Sequence, residues 1–198
     1  PLASRLADWN ATGAPLPEPG EVLRLLDRLP GELLAFPRRP AWSDRADFHG
    51  QAAAASLPDQ GDGIARVVAH LQGVLRGLPE ASPVPTHGDF YEANVFCSRT
   101  GFTSLIDVDT AGPGRRVDDL ACLLGHLAVL PDLSPAHYSR LPEVTYAWAG
   151  AFERHVPPVE LRARVAGVVL SLVAGAPRAR GLARLDVCRA WLYRAQNP

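Results

Sequence analysis

The spacing of apolar residues changes near residue 84, and this change limits what the chain can fold into more than any other feature of its sequence. Residues 62–79 carry apolar side chains three and four positions apart, as an amphipathic helix does. Beyond them the apolar residues come in short runs of strand length, at residues 84–87, 94–98 and 102–107. The sequence Arg-Thr-Gly at residues 99–101 separates the last two runs and predicts a hairpin turn, with the glycine in a left-handed conformation.

The rest of the chain is predominantly helical in its patterning, so the expected fold class is α+β, mostly helical, with one small embedded β-hairpin. Helical spacing recurs in five further segments, at about residues 21–29, 118–130, 135–154, 158–174 and 182–195. Pro131 is expected to end the second of these segments, and Ser134 followed by Pro135 to begin the third.

Three other segments have weaker patterns. Residues 1–20 predict a short helix or a loop, and residues 30–61 are proline-rich and broken. An alanine run at residues 52–55 favours a helix within the second of them. Gly112-Pro113-Gly114 is expected to be a plain turn.

Composition excludes several classes of protein. With 198 residues and 47% hydrophobic content the chain can bury a core, and its net charge of -1 gives no general attraction to nucleic acid or membranes. The 20 basic residues are all arginine, which excludes a phosphate-binding loop that ends in lysine. The 3 cysteines have no paired spacing, so a disulfide framework is not expected and a cytoplasmic, reducing location is favoured. The longest apolar run, residues 165–176, is too short to span a membrane.

Polar residues gather at the ends of the short strands. The sequence HGDFYEAN, residues 87–94, has the spacing H-x-D-x-x-x-x-N, and it is followed by LIDVD at residues 105–109 and by DLA at residues 119–121. Over residues 84–125 this order resembles the C-terminal lobe of the aminoglycoside phosphotransferase and choline kinase family, which is related to the protein kinases. The resemblance implies a kinase-like fold and transfer of a phosphoryl group from ATP or GTP to a hydroxyl of a small molecule.

The resemblance also implies a role for each matching residue. Asp89 corresponds to the catalytic base, and Asn94 and Asp107 correspond to the ligands of Mg²⁺. The chemistry is consistent with this, because phosphoryl transfer needs an oriented hydroxyl, a carboxylate to take its proton, and metal ions that neutralise the phosphate oxygens. An amide oxygen and a carboxylate are hard ligands that suit Mg²⁺, and a hairpin would bring Asn94 and Asp107 together.

Further residues are expected around this centre. His87 and Asp119 correspond to orienting residues: His87 would hydrogen-bond the loop, and Asp119 would accept its backbone N–H groups. Asp118 and Asp119 both lie near a helix start; Asp118 is favoured as the helix cap, although the two assignments could be exchanged. Glu92, Asp109 and Asp118 could line an acceptor pocket and would suit cationic acceptors such as aminoglycosides or choline.

The chain departs from the family pattern in two ways. Tyr91, Glu92 and Ala93 occupy positions inside the loop where relatives often carry H-x-G, which affects the loop shape and the acceptor pocket. There is also no lysine and no G-x-G-x-x-G, and residues 1–80 have helical patterns where a sheet-containing N-terminal lobe would precede the motif. Residues 1–198 are therefore expected to form the C-terminal lobe, with residues 1–61 as its leading helix and proline-rich loops, and to be a poor kinase alone.

Two other functions compete with this one. A catalytically inactive, kinase-like binding or regulatory module is favoured by the absence of lysine and disfavoured by the intact Asp89, Asn94 and Asp107. A metal-dependent hydrolase is disfavoured because the histidines are scattered without metal-ligand spacing. Cys122 and His126 lie four apart but are expected to pack in the core, and Trp42 lies in a loop-like context with only a weak indication of acceptor contact.

Overall fold

The computed structural model describes residues 1–98 and 101–196 of the chain. Nine α-helices form in this part: α1 (Leu2–Thr12), α2 (Pro19–Asp27), α3 (Ala46–Ser56), α4 (Gly61–Arg76), α5 (Arg116–Leu133), α6 (Pro135–Tyr138), α7 (Leu141–Phe152), α8 (Pro158–Ser171) and α9 (Arg178–Gln196). Four strands form as well: β1 (Val84–Thr86), β2 (Val95–Ser98), β3 (Gly101–Leu105) and β4 (Gly112–Gly114). Short 3-10 turns cover Gly31–Ala35, Trp42–Arg45, Pro58–Gln60 and Val108–Thr110.

Helix α8 is the centre of the packing. It lies against α5 and α9, and it also contacts α3, α4 and the Trp42–Arg45 turn. Its residues from Glu160 to Leu170 are buried with the exception of Arg162, as expected of a helix enclosed by others, and the buried Glu160 and Arg164 pair with each other. The buried side chains of α8 join those of α5, α7 and α9 in one core.

Glycines allow α8 to approach its neighbours closely. A Cβ atom on Gly125 of α5 would lie 2.6 Å from Val168 Cγ1, and a Cβ atom on Gly167 would lie 2.7 Å from Ser43 Cβ and 2.8 Å from Ser43 Cα. Real Cβ atoms do not make contacts this short, so any larger residue at these positions would force the helices or the turn apart. Gly167 therefore sets how closely the Trp42–Arg45 turn packs on α8.

Strands β2 and β3 form the predicted hairpin, with Val95 opposite Leu105. The predicted turn falls on Arg99 and Thr100, which lie outside the described residues, and on Gly101, which begins β3 with a positive φ of 129°.

The prediction that Gly112-Pro113-Gly114 is a plain turn is wrong, because these residues form strand β4, antiparallel to β1. Pro85 lies opposite Pro113 in this pairing. Two prolines can face each other in an antiparallel ladder at a pair that exchanges no N–H groups, so the prolines do not prevent the strands from pairing. The Thr86 hydroxyl also donates a hydrogen bond of 2.9 Å to the Gly112 carbonyl.

Two predicted helix boundaries are also wrong. Helix α5 continues past Pro131 to Leu133, because a proline in the last turn removes only one N–H from a helix that is about to end. The single helix predicted for residues 135–154 is divided into α6 and α7. Pro142, the second residue of α7, explains the break, because it cannot donate to the preceding turn and fits only near a helix start.

The other segments predicted to be helical do form helices, although their bounds differ by a few residues; they include the alanine run within α3 and the amphipathic α4. Among the described residues no strand precedes β1, and the first part of the chain consists of helices and 3-10 turns. No helix in the described ranges combines the length and apolarity needed to cross a membrane.

We predict that Gly167→Ala destabilises the fold by about 1–3 kcal/mol, because the added methyl group overlaps the backbone of Ser43. Gly150→Ala in α7 is the matched control, since nothing lies within 4 Å of its added Cβ atom. It should be neutral or raise the free energy of unfolding by up to about 1 kcal/mol. Urea unfolding of both variants measures the difference, and equal stability of the two would contradict the close packing described for Gly167.

Candidate active site

The loop between β1 and β2 is held in place by a buried carboxylate. Asp119, in the first turn of α5, is fully buried; its Oδ2 accepts the backbone N–H of His87 and its Oδ1 accepts that of Gly88, each at 2.9 Å. These are the bonds expected from the sequence for Asp119. Burial raises the pKa of this carboxyl to about 7, while the two N–H donors favour its ionised form.

The loop also needs a glycine after His87. Gly88 has a φ of 84°, in the left-handed region, and a Cβ atom there would lie 2.5 Å from the Thr110 carbonyl oxygen. The Thr110 hydroxyl donates a hydrogen bond to the His87 carbonyl at 3.0 Å. The Val108–Thr110 turn and the loop are therefore in direct contact, and only glycine fits between them.

His87 joins the loop to the end of the hairpin. Its ring is buried; Nε2 lies 2.9 Å from the Ile106 carbonyl oxygen, and Nδ1 accepts the backbone N–H of Asp89 at 3.3 Å. The neutral tautomer with a proton on Nε2 satisfies both bonds. Burial lowers the pKa of His87, which favours this neutral form. The ring is therefore placed to orient the loop.

Asp89 and Asn94 lie together in this loop. The Asn94 side-chain amide donates to the Asp89 carbonyl at 3.0 Å and lies 3.4 Å from Asp89 Oδ2. Because the amide nitrogen makes these contacts, the amide oxygen is the atom left for a further partner. Burial raises the pKa of the Asp89 carboxyl, and the Asp107 carboxylate adds to the rise.

The hairpin brings Asp107 to the same place. The Ile106 N–H donates to the Asn94 carbonyl at 3.1 Å, so the pairing of the two strands continues to the residue before Asp107. Asp107 has a φ of 59° and a ψ of 57°, and no other non-glycine residue in the described part has a positive φ. Aspartate tolerates this conformation better than most residues, at a cost of about 1–2 kcal/mol. Its exposed side chain leaves the strand as the chain turns.

The donor atoms of this site fit Mg²⁺. Within the described ranges, no three His, Cys, Asp or Glu side chains form a group that could hold a metal. What the loop and hairpin present is one amide oxygen from Asn94 and the carboxylate of Asp107, with the Asp89 carboxylate close by. A set of hard oxygens that leaves room for water and phosphate is typical of magnesium sites.

The three carboxylates expected in the acceptor pocket do not share one environment. Asp109 is exposed, and Glu92 is buried with a pKa that burial raises to about 7. Asp118 is used within the fold, since its Oδ1 lies 2.9 Å from the Arg164 guanidinium and its Oδ2 accepts the Arg115 N–H at the start of α5. Asp118 is therefore the helix-capping residue, and Asp119 holds the loop.

Sequence reasoning undervalued Trp42. The side chain of this residue lies close enough to the Asp89 carboxylate to oppose the rise in the pKa of Asp89. Trp42 comes from the proline-rich segment, 47 positions before Asp89, so no local pattern links the two. A tryptophan in a segment without helical or strand spacing was the available signal.

A group of charges centred on the buried Arg164 fixes the turn that carries Trp42. Arg164 of α8 donates to Ser43 Oγ at 2.9 Å and to Asp44 Oδ1 at 3.0 Å, and its Nε donates to Glu160 at 2.8 Å. Glu160 also pairs with Arg115 at 2.6 Å. Together with Asp118, these contacts join the turn, α5 and α8. Removal of Glu160 or Arg164, which are both buried, would leave the partners of that residue without compensation and cost about 3–5 kcal/mol.

A cavity of about 220 Å³ lies beside the loop. Its lining includes Gly88, the residue before Asp89, and Trp42, whose side chain acts on the pKa of Asp89. Asp118 also lines it, whereas Glu92 and Asp109 are not among the lining residues. A pocket that adjoins perturbed carboxylates is the expected place for a substrate.

Comparison with known families agrees with this geometry. Residues 10–164 match the sequence model of the phosphotransferase enzyme family, abbreviated APH. The chain belongs to the phosphotransferase enzyme family. The match covers more than half of the chain and includes the loop, the hairpin and every residue that lines the cavity except Val168, and it confirms the resemblance to aminoglycoside phosphotransferases and choline kinases. No curated protein sequence matched the chain. Membership of this family supports a kinase-like phosphotransfer activity.

We predict that Asp119→Asn lowers the free energy of unfolding by about 1–3 kcal/mol. An asparagine amide can present only one oxygen, so one of the two loop N–H groups would face an NH₂ group. Chemical denaturation measures the loss. Asp109→Asn, an exposed control in the same region, should stay within about 0.5 kcal/mol of the wild type. A variant of Asp119 as stable as this control would show that the two hydrogen bonds do not hold the loop.

A pH dependence is predicted for His126, whose ring packs on Tyr91 of the loop at a centroid distance of 4.3 Å. Burial lowers the pKa of His126 from 6.5 to about 4. Between these values His126 binds a proton in the unfolded chain but not in the folded one, so the contribution of His126 to stability falls as the pH drops from about 6.5 to 4. His126→Gln should remove about 2–3 kcal/mol of this fall.

Thermal and urea unfolding of the His126 variant across this pH range provide the measurement. His155→Gln is the control, because His155 is exposed. Parallel pH profiles for the wild type and the His126 variant would contradict the assignment of a half-buried, neutral imidazole.

Proposed function

We propose that this protein transfers the terminal phosphoryl group of a nucleoside triphosphate, ATP or GTP, to a hydroxyl of a small molecule. The observation that carries the proposal is the continuation of the β2–β3 pairing through Ile106 and Asn94, which sets Asp107 beside the loop of Asp89 and Asn94. A buried structural loop would not need an amide and two carboxylates to converge at an open edge. Phosphoryl transfer does need this combination of groups.

Asp89 is proposed as the catalytic base. Its carboxylate would accept the proton of the acceptor hydroxyl as the hydroxyl oxygen bonds to the terminal phosphorus and the bond from that phosphorus to the nucleoside diphosphate breaks. Burial raises the pKa of Asp89, which makes the carboxylate a better proton acceptor than an exposed aspartate. The Asn94 amide donates to the Asp89 carboxylate, and with the nearby Trp42 side chain it would hold Asp89 in position.

Asn94 and Asp107 are proposed to hold Mg²⁺ through the amide oxygen and the carboxylate. When bound, Mg²⁺ would neutralise charge on the phosphate oxygens of the nucleotide. His87 and Asp119 act on the loop and not on the substrate: Asp119 holds two of its N–H groups, and His87 links it to the Ile106 carbonyl. Of these four residues, Asn94 and Asp107 would therefore bind the metal ion, and His87 and Asp119 orient the loop.

We further propose that residues 1–198 correspond to the C-terminal lobe of a kinase-like fold. The helices and 3-10 turns described before β1 support this, because a nucleotide-clamping lobe would consist mainly of strands. A non-catalytic binding module is the alternative, and the absence of lysine from the sequence is the observation that favours it.

The test is calorimetric titration of the chain with Mg·ATP and with Mg·GTP. We expect binding that requires Mg²⁺, and we expect Asp107→Ala to weaken it by about tenfold or more, which corresponds to ~1.4 kcal/mol. Asp62→Ala, which removes an exposed carboxylate from α4, should bind like the wild type. Asp89→Asn should keep nucleotide binding and lose phosphoryl transfer to any acceptor that the wild type uses.

Two results would reject this function. If Asp107→Ala bound Mg·ATP as the wild type does, the metal would not be where we place it. If the wild type bound neither nucleotide at millimolar concentration, the non-catalytic module would be the better description of this chain.

A further inference from the structure

The cavity beside Asp89 has an excess of positive charge at its surface. Two arginines contribute to its lining, Arg39 and Arg45, and both are exposed. Within residues 1–98 and 101–196, Arg39 makes no hydrogen bond or ion pair, and Arg45 lies over the Phe48 ring at 4.6 Å without a carboxylate partner. The charges of both guanidinium groups are therefore uncompensated at the cavity.

The acidic residue that lines the cavity does not balance them. Asp118 is ion-paired with Arg164 and accepts the Arg115 N–H; together with Asp44 and Glu160 it shares Arg164 and Arg115, which leaves one negative charge in that group against the two free arginines. Asp44, beside Arg45 in sequence, is likewise paired with Arg164 at 3.0 Å. A cationic ligand in this cavity would face two free arginines and no free carboxylate of the lining, whereas an anionic ligand would be attracted.

The remaining walls are largely apolar and the space is small. They include Pro40, Ala41, Trp42, Pro113, Ala121 and Val168. A volume of about 220 Å³ suits a molecule the size of a small metabolite and is too small to enclose a sugar compound of several rings. The flat face of Trp42 would pack against a ring or a short apolar chain.

We propose that the acceptor of this phosphotransferase is a small hydroxyl compound with an anionic group, a carboxylate or a phosphate. The anionic group binds Arg39 and Arg45, the body of the molecule packs on Trp42, and the hydroxyl reaches Asp89 next to Gly88. This places the acceptor in a different chemical class from the cationic compounds that the sequence suggested. The proposal rests on the proposed function for the role of Asp89, but the charge preference of the cavity can be measured without catalysis.

The test uses two pairs of probes that differ in the charge of one end. The first pair is 4-hydroxyphenylacetate and tyramine, and the second is 4-hydroxybutyrate and 4-amino-1-butanol. Binding to the whole chain is followed by calorimetry and by tryptophan fluorescence. We expect the anion of at least one pair to bind about tenfold or more tightly than its cation, as two charge-assisted hydrogen bonds would produce. Added salt should weaken this binding.

The double variant Arg39→Gln/Arg45→Gln should lose this preference. Arg38→Gln/Arg66→Gln removes the same charge from two exposed arginines that do not line the cavity, and it should bind the anion like the wild type. Equal or tighter binding of the cations would overturn the proposal. So would anion binding that survives the loss of Arg39 and Arg45, or no binding of any probe at millimolar concentration.

Titration of the same variants with Mg·ATP separates this proposal from the proposed function. Asp107→Ala should weaken nucleotide binding and leave anion binding unchanged, and the Arg39/Arg45 variant should do the reverse. If the Arg39/Arg45 variant loses Mg·ATP binding as well as the probe, the arginines hold the nucleotide phosphates and the acceptor assignment is wrong. If the anion preference is present but no nucleotide binds, the cavity takes an anion and the phosphotransferase function fails.

Discussion

The buried carboxylate of Asp119 is the interaction on which the candidate site depends. It accepts hydrogen bonds from two adjacent N–H groups of the loop, those of His87 and Gly88. Without this acceptor the two donors would be buried and unpaired, which would lower the stability of the fold. Because Asp119 lies in the first turn of α5, the position of the loop follows from the position of that helix. The helix in turn packs on α8, so the proposed base is tied to the centre of the core.

A second group of charges, centred on Arg164, anchors the Trp42–Arg45 turn on the opposite side of the site. Arg164 of α8 binds Ser43 and Asp44 in the turn that carries Trp42, and it pairs with Asp118, the neighbour of Asp119. Helix α5 therefore presents two adjacent aspartates with different partners, one to the loop and one to α8. The loop that carries Asp89 and the turn that carries Trp42 are therefore both anchored to the same pair of helices, α5 and α8.

The distribution of charge across the site is unequal. Three side chains with oxygen donors, Asp89, Asn94 and Asp107, converge where the loop meets the hairpin, and they suit a metal ion with its phosphates. Arg39 and Arg45 lie at the adjoining cavity instead. Such a separation would bring a metal-bound nucleotide and an anionic acceptor to different parts of one site. The oxygen donors would attract the metal ion of the nucleotide, and the arginines would attract the anionic group of the acceptor.

The sequence alone determined the family, the mostly helical α+β class, and the grouping of His87, Asp89, Asn94 and Asp107 around one hairpin. These features depend on the spacing of residues within about 35 positions of one another, and apolar periodicity and turn residues report such short-range structure well. It did not show that Gly112–Gly114 is a strand or that α5 passes Pro131, because a strand partner and the packing of a last helical turn lie elsewhere in the chain. Tertiary structure alone decided the contact of Trp42 with Asp89, the pairing of Asp118 with Arg164, and the positive cavity. Arg164 and Ser43 are 121 residues apart, and only the close approach of α8 to the Trp42–Arg45 turn, which Gly167 permits, brings them together.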